Sequence, residues 1–328
     1  MKEYAEEIDK FNNKNVLVIG DSMLDKYISG NATRISPEAP VPVIEQKDIS
    51  YRLGGAANVA SNIITLGAKS SLVSVTGEDI EAKEFYVLAE EKQITTSFIY
   101  KLVDRPTTVK TRILAGHQQI VRLDREIRKP IDAYLRSEII KILYDLIPTF
   151  DAVVISDYGK GMLNMELVPF IIERCLVSSR PVVIDPIPEN APFYKNATLL
   201  TPNKKEAEKI SGMEIIDDDT LKRAGMSIID KLNPEYLLVT LGEDGMALFE
   251  KGKELIKIPT VSKDVYDVTG AGDLVCSIMA LCFSAEINFY DSAYISNIAA
   301  GIEVTKLGNV SVSVDELKQA LLSANKSG

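Results

Sequence analysis

Asp267-Val268-Thr269-Gly270-Ala271-Gly272-Asp273 runs straight into Leu274-Val275-Cys276-Ser277-Ile278-Met279-Ala280-Leu281-Cys282-Phe283, a glycine-rich turn joined to a long apolar segment. So apolar a run predicts a buried helix. The first N–H groups of a helix lack intrahelical partners, and the helix dipole adds positive potential at that end. An anion such as a phosphate is favoured there, and the glycines let it approach the backbone. The same field is expected to keep Asp273 ionised near neutral pH, able to accept a proton. A carboxylate beside a phosphate cradle suggests phosphoryl transfer, in which the protein mainly positions groups and stabilises spreading charge. On spacing alone the residues serve equally well as a helix cap behind a tight turn.

Outward from this stretch, short apolar runs alternate with longer amphipathic ones. Strands are predicted at Val16–Ile19, Ser71–Val75, Ala152–Ser156, Pro181–Asp185, Thr198–Thr201 and Tyr236–Thr240. Helices are predicted at Ala56–Leu66, Ala82–Lys92, Asp132–Leu146, Met165–Val177, Lys204–Ser211 and Thr220–Leu232. The pattern is that of an α/β fold with a doubly wound, mostly parallel sheet. Met23–Leu53 and Tyr100–Asp124 break the alternation with β-branched runs and no helix between them. They read as a small separate β-sheet, a lid over a ligand or a surface for a second subunit. Several strands end in polar turns, Gly20-Asp21, Ser156-Asp157, Asp185-Pro186 and Pro202-Asn203, where an open α/β sheet gathers its ligands. No linker divides the chain, so it reads as one domain.

Composition narrows the chemistry. With 46% hydrophobic residues, 328 residues can bury a sizeable core, and no run approaches a membrane span. A charged Met1–Asn15 without a signal-peptide core points to the cytoplasm. A net charge of -10 argues against nonspecific nucleic-acid binding, though not against a small anion held by a few converging cations. Cys175, Cys276 and Cys282 lack metal-ligand spacing, and His117 is the only histidine. Serine–histidine catalysis and histidine-rich zinc sites are thereby nearly excluded, leaving carboxylates, lysines and arginines to carry the chemistry.

The chain has no P-loop. Gly54-Gly55-Ala56-Ala57-Asn58 and Asp267–Asp273 together resemble the two signature regions of the ribokinase-like, or PfkB, sugar kinases, and the resemblance runs from about Val16 to about Leu317. It implies a three-layer fold with a β lid, and a kinase using ATP and Mg²⁺, with a monovalent cation left open. Asp273 would then be the base, and Gly270, Ala271 and Gly272 the anion hole. Within that family four further stretches are similar to the kinases of D-glycero-β-D-manno-heptose 7-phosphate, which make the 1,7-bisphosphate for lipopolysaccharide core. These are Gly20–Asp25, Arg34–Val43, Gln118–Asp124 and Ser156–Gly161. The resemblance, not composition, supplies that substrate.

Chemistry of the matched residues agrees. Asp21 and Asp25 can accept hydrogen bonds from sugar hydroxyls, Gly54 and Gly55 admit the ring, and Asn58 both donates and accepts. Asp157 stands in the same strand-end region. A 7-phosphate needs cations, and Arg34, Lys110, Arg112, Arg122 and Lys160 lie in the lid and strand-end segments, although each alone could be a solvated surface charge. On the nucleotide side Asn203-Lys204-Lys205-Glu206 is similar to the family's Asn-x-x-Glu element, which acts on magnesium through water; the spacing also fits a helix cap. Thr240, Gly242 and Gly245 match a nucleotide-edge turn ahead of a hairpin from Met246 to Ile258, and Asn297 and Gly301 could face adenine.

Two departures stand out. Ile187 replaces the lysine usual after Asp185-Pro186, which keeps another sugar or sugar phosphate open as acceptor. The sequence closes at Gly328 without the nucleotidyltransferase domain fused to this kinase in bifunctional relatives, so a separate nucleotidyltransferase is expected. The implied partners are therefore a sugar phosphate, ATP and a second copy of the chain in a homodimer. A reading of another class, a catalytically silent sugar-phosphate sensor, has no need of Asp273.

Overall fold

The structure is a computed structural model that describes residues 4–116, 118–260, 270–306 and 311–327. Asp267, Val268, Thr269 and His117 lie outside the described residues. A nine-stranded sheet runs from edge to edge as Ile256–Ile258, Met246–Glu250, Tyr236–Thr240, Leu199–Leu200, Val182–Asp185, Ala152–Ser156, Asn15–Gly20, Lys69–Gly77 and Thr95–Leu102. Its central pairs are parallel, and only the hairpin edge from Met246 to Ile258 is antiparallel.

Strand alternation explains the layers. In Asn15–Gly20, Val16 and Val18 point into one core with helices Ala56–Thr65, Ala271–Ser284 and Phe289–Glu303. Leu17 and Ile19 point into the opposite core with Ala133–Leu146, Leu167–Val177, Lys204–Ser211 and Asp218–Leu232. Both faces are covered, which is why the central strands read as unbroken apolar runs. The helix Ala271–Ser284 is buried nearly all round, as its sequence predicts. Each fully buried leucine or isoleucine on it contributes about 1.5–3 kcal/mol. Side-chain caps fix several helix starts: Asp79, Asp132, Asp217 and Asn288 each accept an N–H from the first turn.

A four-stranded sheet in the order Pro42–Gly55, Ser22–Ile35, Val109–Ala115, Gln118–Arg125 stands apart as the flap. Its strand Ser22–Ile35 follows the main sheet's Asn15–Gly20 with only Asp21 between. The expected lid segment Tyr100–Asp124 is corrected at its start: Thr95–Leu102 is an edge strand of the main sheet, pairing Val75 with Tyr100 in parallel. Its Phe98, Tyr100 and Leu102 pack on one core and Ile99 on the other, which rewards main-sheet pairing over flap pairing. At the termini, Tyr4–Glu7 and the 3₁₀ turn Ile8–Asn13 lie against Val314–Ser327, tied by Lys318 to Asp9 at 2.5 Å. No helix among the described residues is long and apolar enough to cross a membrane.

Candidate active site

Gly270 caps the signature helix at φ 93°, a left-handed conformation suited to glycine, and Asp273 follows in the first turn, 4% exposed. Asn58 Nδ2 donates to its Oδ2 at 2.7 Å, and the Tyr158 hydroxyl donates to its Oδ1 at 2.8 Å. Asn58 is delivered by the helix Ala56–Thr65, which starts at Gly55 with φ 59°; a Cβ there would collide with the Asp21 carbonyl. Burial pushes the Asp273 carboxyl up to about 6, against the opposing pull of Asn58, Tyr158 and Lys110 and helped by Asp25. The expectation that the helix dipole governs this group is thus corrected. Desolvation dominates, and the carboxylate is still mostly ionised at neutral pH with a proton affinity suited to a general base.

Asp21 and Asp157 are occupied by the protein itself. Asp21 Oδ2 accepts the backbone N–H groups of Tyr158 and Lys160 at 3.1 and 2.9 Å, and its Oδ1 accepts that of Met162 at 3.2 Å. Burial, with Asp157 nearby, raises it to about 6. Asp157 accepts from Gly159 N–H, the Asn190 amide and the Tyr194 hydroxyl, so it fastens the turn Pro188–Phe193 beneath the site. These carboxylates shape the 158–162 loop through their bonds to the protein itself. Gly54, at the flap base, would bring a Cβ to 2.9 Å from Asp25 Oδ2, so its absence leaves Asp25 room.

The flap's inner face carries the cations. Strand register sets Asp25 opposite Arg52 and Lys110, Tyr27 opposite Arg112, and Arg112 opposite Arg122. Arg112 ion-pairs with buried Asp25, and Arg52 and Arg112 both lie over the Tyr27 ring, at 5.2 and 5.3 Å from its centroid. The Lys110 ammonium, lowered by burial, sits 5.4 Å from the Tyr158 ring centroid. Arg122 is closed off in a bidentate bond to Asp124, both contacts 2.9 Å, and Lys160 pairs with Glu126 at 2.6 Å. Arg34 lies apart from these cations. It is exposed nine residues beyond Asp25 along one strand, roughly 30 Å at a strand's rise, and does not reach Asp273 of the same chain. Sequence reasoning passed over Arg52, whose position opposite Asp25 is visible only from the register, and Tyr158, which sat unassigned inside Ser156–Gly161.

At the next strand ends, Asn203 and Glu206 form the reciprocal cap their spacing allowed, with N–H to side-chain distances of 2.8 and 3.0 Å. The cap leaves one Glu206 carboxylate oxygen and the Asn203 amide NH₂ uncommitted by those two bonds. Burial raises the carboxyls of both Glu206 and Asp185, and Asp185 also feels Asp273. Added positive charge would relieve this cluster, so the donor set fits a hydrated magnesium ion. Thr240 bridges to Asn203 in parallel. Gly242 has open space around it, whereas a Cβ on Gly245 would strike the Ile258 carbonyl, so the hairpin requires glycine at 245. Asn297 donates to the Pro259 carbonyl at 2.8 Å, with Gly301 one turn further along the same helix.

Comparison with known proteins places the chain in a family. Residues 13–316 match the pfkB family carbohydrate kinase. The bifunctional protein HldE of Helicobacter hepaticus is 41% identical over 304 residues, covering 93% of this chain and 63% of that protein; the chain thus spans about three-fifths of that relative's length. Among solved structures, phosphofructokinase-2 of Escherichia coli in complex with potassium superposes with a TM-score of 0.79 at 16% identity, covering 95% of this chain and 99% of that one. Ribokinase of Arabidopsis thaliana, complexed with ribose and ATP, gives 0.73 at 18% identity over 94% and 98%. At those identities the superpositions speak for the fold.

Proposed function

The chain belongs to the pfkB family of carbohydrate kinases, and from that premise we propose that it transfers the γ-phosphoryl of ATP to O1 of D-glycero-β-D-manno-heptose 7-phosphate. The observation that carries this reading is Asp273, buried, clamped by Asn58 and Tyr158, and facing a flap lined with Arg52, Lys110 and Arg112. Asp273 orients the acceptor hydroxyl and takes its proton, a role worth about 10²–10⁴-fold. N–H groups from Gly270 to Gly272 stabilise the phosphoryl in flight. They fit an anion, because a Cβ on Gly272 would meet nothing within 4 Å. Asn203 and Glu206 would hold magnesium through its waters, and the ion supplies charge neutralisation on the phosphates.

The motif matches support the heptose acceptor, and the inner-face cations of the flap suit its 7-phosphate. Ile187 supports a second reading, another sugar phosphate. Its Cδ1 lies where a Cβ on Gly159 would come within 2.9 Å, so an apolar group rather than a cation backs the 158–162 loop. ADP release across heptose, hexose and pentose phosphates tests the acceptor. Preference for the heptose 7-phosphate is expected, and better use of another sugar phosphate would replace it. For the mechanism, Asp273→Asn should cut turnover by about 10²–10⁴-fold while melting temperature and ATP binding hold. Turnover within a few-fold of wild type would remove Asp273 as the base.

A further inference from the structure

We propose that Tyr158 is the positioning residue of the base: its phenol locks the Asp273 carboxylate toward the acceptor and holds it in the ionised form. The inference rests on the reading of Asp273 as the base. Each oxygen of that carboxylate has its own donor, Asn58 on Oδ2 and Tyr158 on Oδ1, arriving from chain segments 215 and 115 residues away. Two donors on two oxygens fix the plane of the carboxylate. Protonating it turns a charged acceptor into a weaker neutral one for the phenol, so the pair favours the charged form.

Tyr158 is itself held. Its N–H, with those of Lys160 and Met162, is anchored on the buried Asp21 carboxylate. The Lys110 ammonium stands off its ring face, and burial together with the Asp273 charge raises the phenol well above its ordinary range, so it remains a donor. Asp21 therefore acts on the chemistry at one remove, through the loop. The other charged or titratable groups that bear on Asp273 are Asp25 and Lys110 on the flap, Asp185 at the end of its strand, and Cys276 one turn along the same helix. Removing the Tyr158 hydroxyl leaves all four in place.

The test is the pH profile of kcat/KM for the sugar phosphate in wild type, Tyr158→Phe, and enzyme carrying 3-fluorotyrosine at 158, whose phenol is the stronger acid. In Tyr158→Phe the acidic limb should move up by about one pH unit, giving about fivefold loss near pH 6 that approaches about tenfold at lower pH and shrinks as pH rises. KM for ATP should stay put. The fluorinated phenol should move the limb the other way. Substrate phosphates titrate in the same window but identically for every enzyme form, so the differences belong to the protein. A pH-independent loss in Tyr158→Phe, or a limb unmoved by fluorination, overturns the proposal. If Tyr158→Phe fails to fold, as a thermal melt would show, the fluorinated enzyme decides. Asp273→Asn run alongside separates the two readings: full activity there removes the base itself, whereas an inactive Asp273→Asn with unshifted limbs removes only Tyr158.

Discussion

Arg52 has a buried guanidinium nitrogen, Nη1, with no hydrogen-bond partner among the described residues, stacked beside Arg112 on Tyr27. A buried donor without an acceptor costs about 1–3 kcal/mol, and an incoming phosphate oxygen would recover that cost. Arg122, by contrast, is exposed and already satisfied by Asp124. A charge-assisted bond is worth about 1.5–3 kcal/mol, so Arg52→Ala and Arg112→Ala should each lower kcat/KM for the phosphorylated sugar by roughly ten- to a hundred-fold. Arg122→Ala should change it by less than about threefold, and the KM for ATP should not follow in any of the three. Initial rates with phosphorylated and unphosphorylated sugar check this, and an Arg122→Ala loss as large as that of Arg52→Ala would contradict it. That Asp273, Asn58, Lys110 and Arg112 gather at one end of the sheet can be read from the sequence, because each sits in a motif or on a strand beside one. The places of Arg52 and Tyr158 beside them cannot, since their partners are set by register and by a loop fold that spacing does not encode. The hold of Asp21 on the 158–162 backbone is likewise invisible in the sequence, since a strand-end carboxylate looks the same whether or not it also anchors another loop.

The signature helix shows how an element can be stable and costly to function at one position. Gly272 lies in its first turn with a helical backbone and open space where a Cβ would project. Glycine inside a helix costs about 1 kcal/mol relative to alanine, so Gly272→Ala should leave the melting temperature unchanged or raise it. The added methyl would occupy the approach to the N–H groups, and turnover should fall by at least about tenfold, as when an anion-hole donor is blocked. Calorimetric melting and a steady-state assay on one preparation check both halves; undiminished turnover would show that the phosphoryl group does not pass this end of the helix. The helix itself was fully legible, because an apolar run of that length behind glycines admits few alternatives. Thr95–Leu102 was not. Its alternating residues fit either sheet, and only the two covering cores favour the main one.

Over the whole molecule, the flap has two unlike faces. Inward it presents Arg52, Lys110 and Arg112; outward, by the same register, Ile28, Ile49, Ile113, Val121 and Leu123 share a face. Ile49, Val121 and Leu123 are 39%, 41% and 57% exposed. A contiguous apolar face on an unsupported sheet invites a partner, and a second copy of the chain is the occupant proposed here, since paired flaps would bury that face on both copies at once. With a formal net charge of -10 on each copy, bulk electrostatics opposes the pairing, so local apolar burial must supply it. Replacing Leu123 by Asp places a charge on the exposed edge strand of that surface without touching the inner face. Light scattering at micromolar concentration should show a dimer for wild type and a monomer for Leu123→Asp, with the melting temperature of the main domain retained. The flap of the monomer loses its support, so KM for the sugar should rise more than KM for ATP. A wild type that is monomeric throughout, or a Leu123→Asp variant that dimerises as wild type does, would mean that the flap closes alone and that its outer face answers to some other contact.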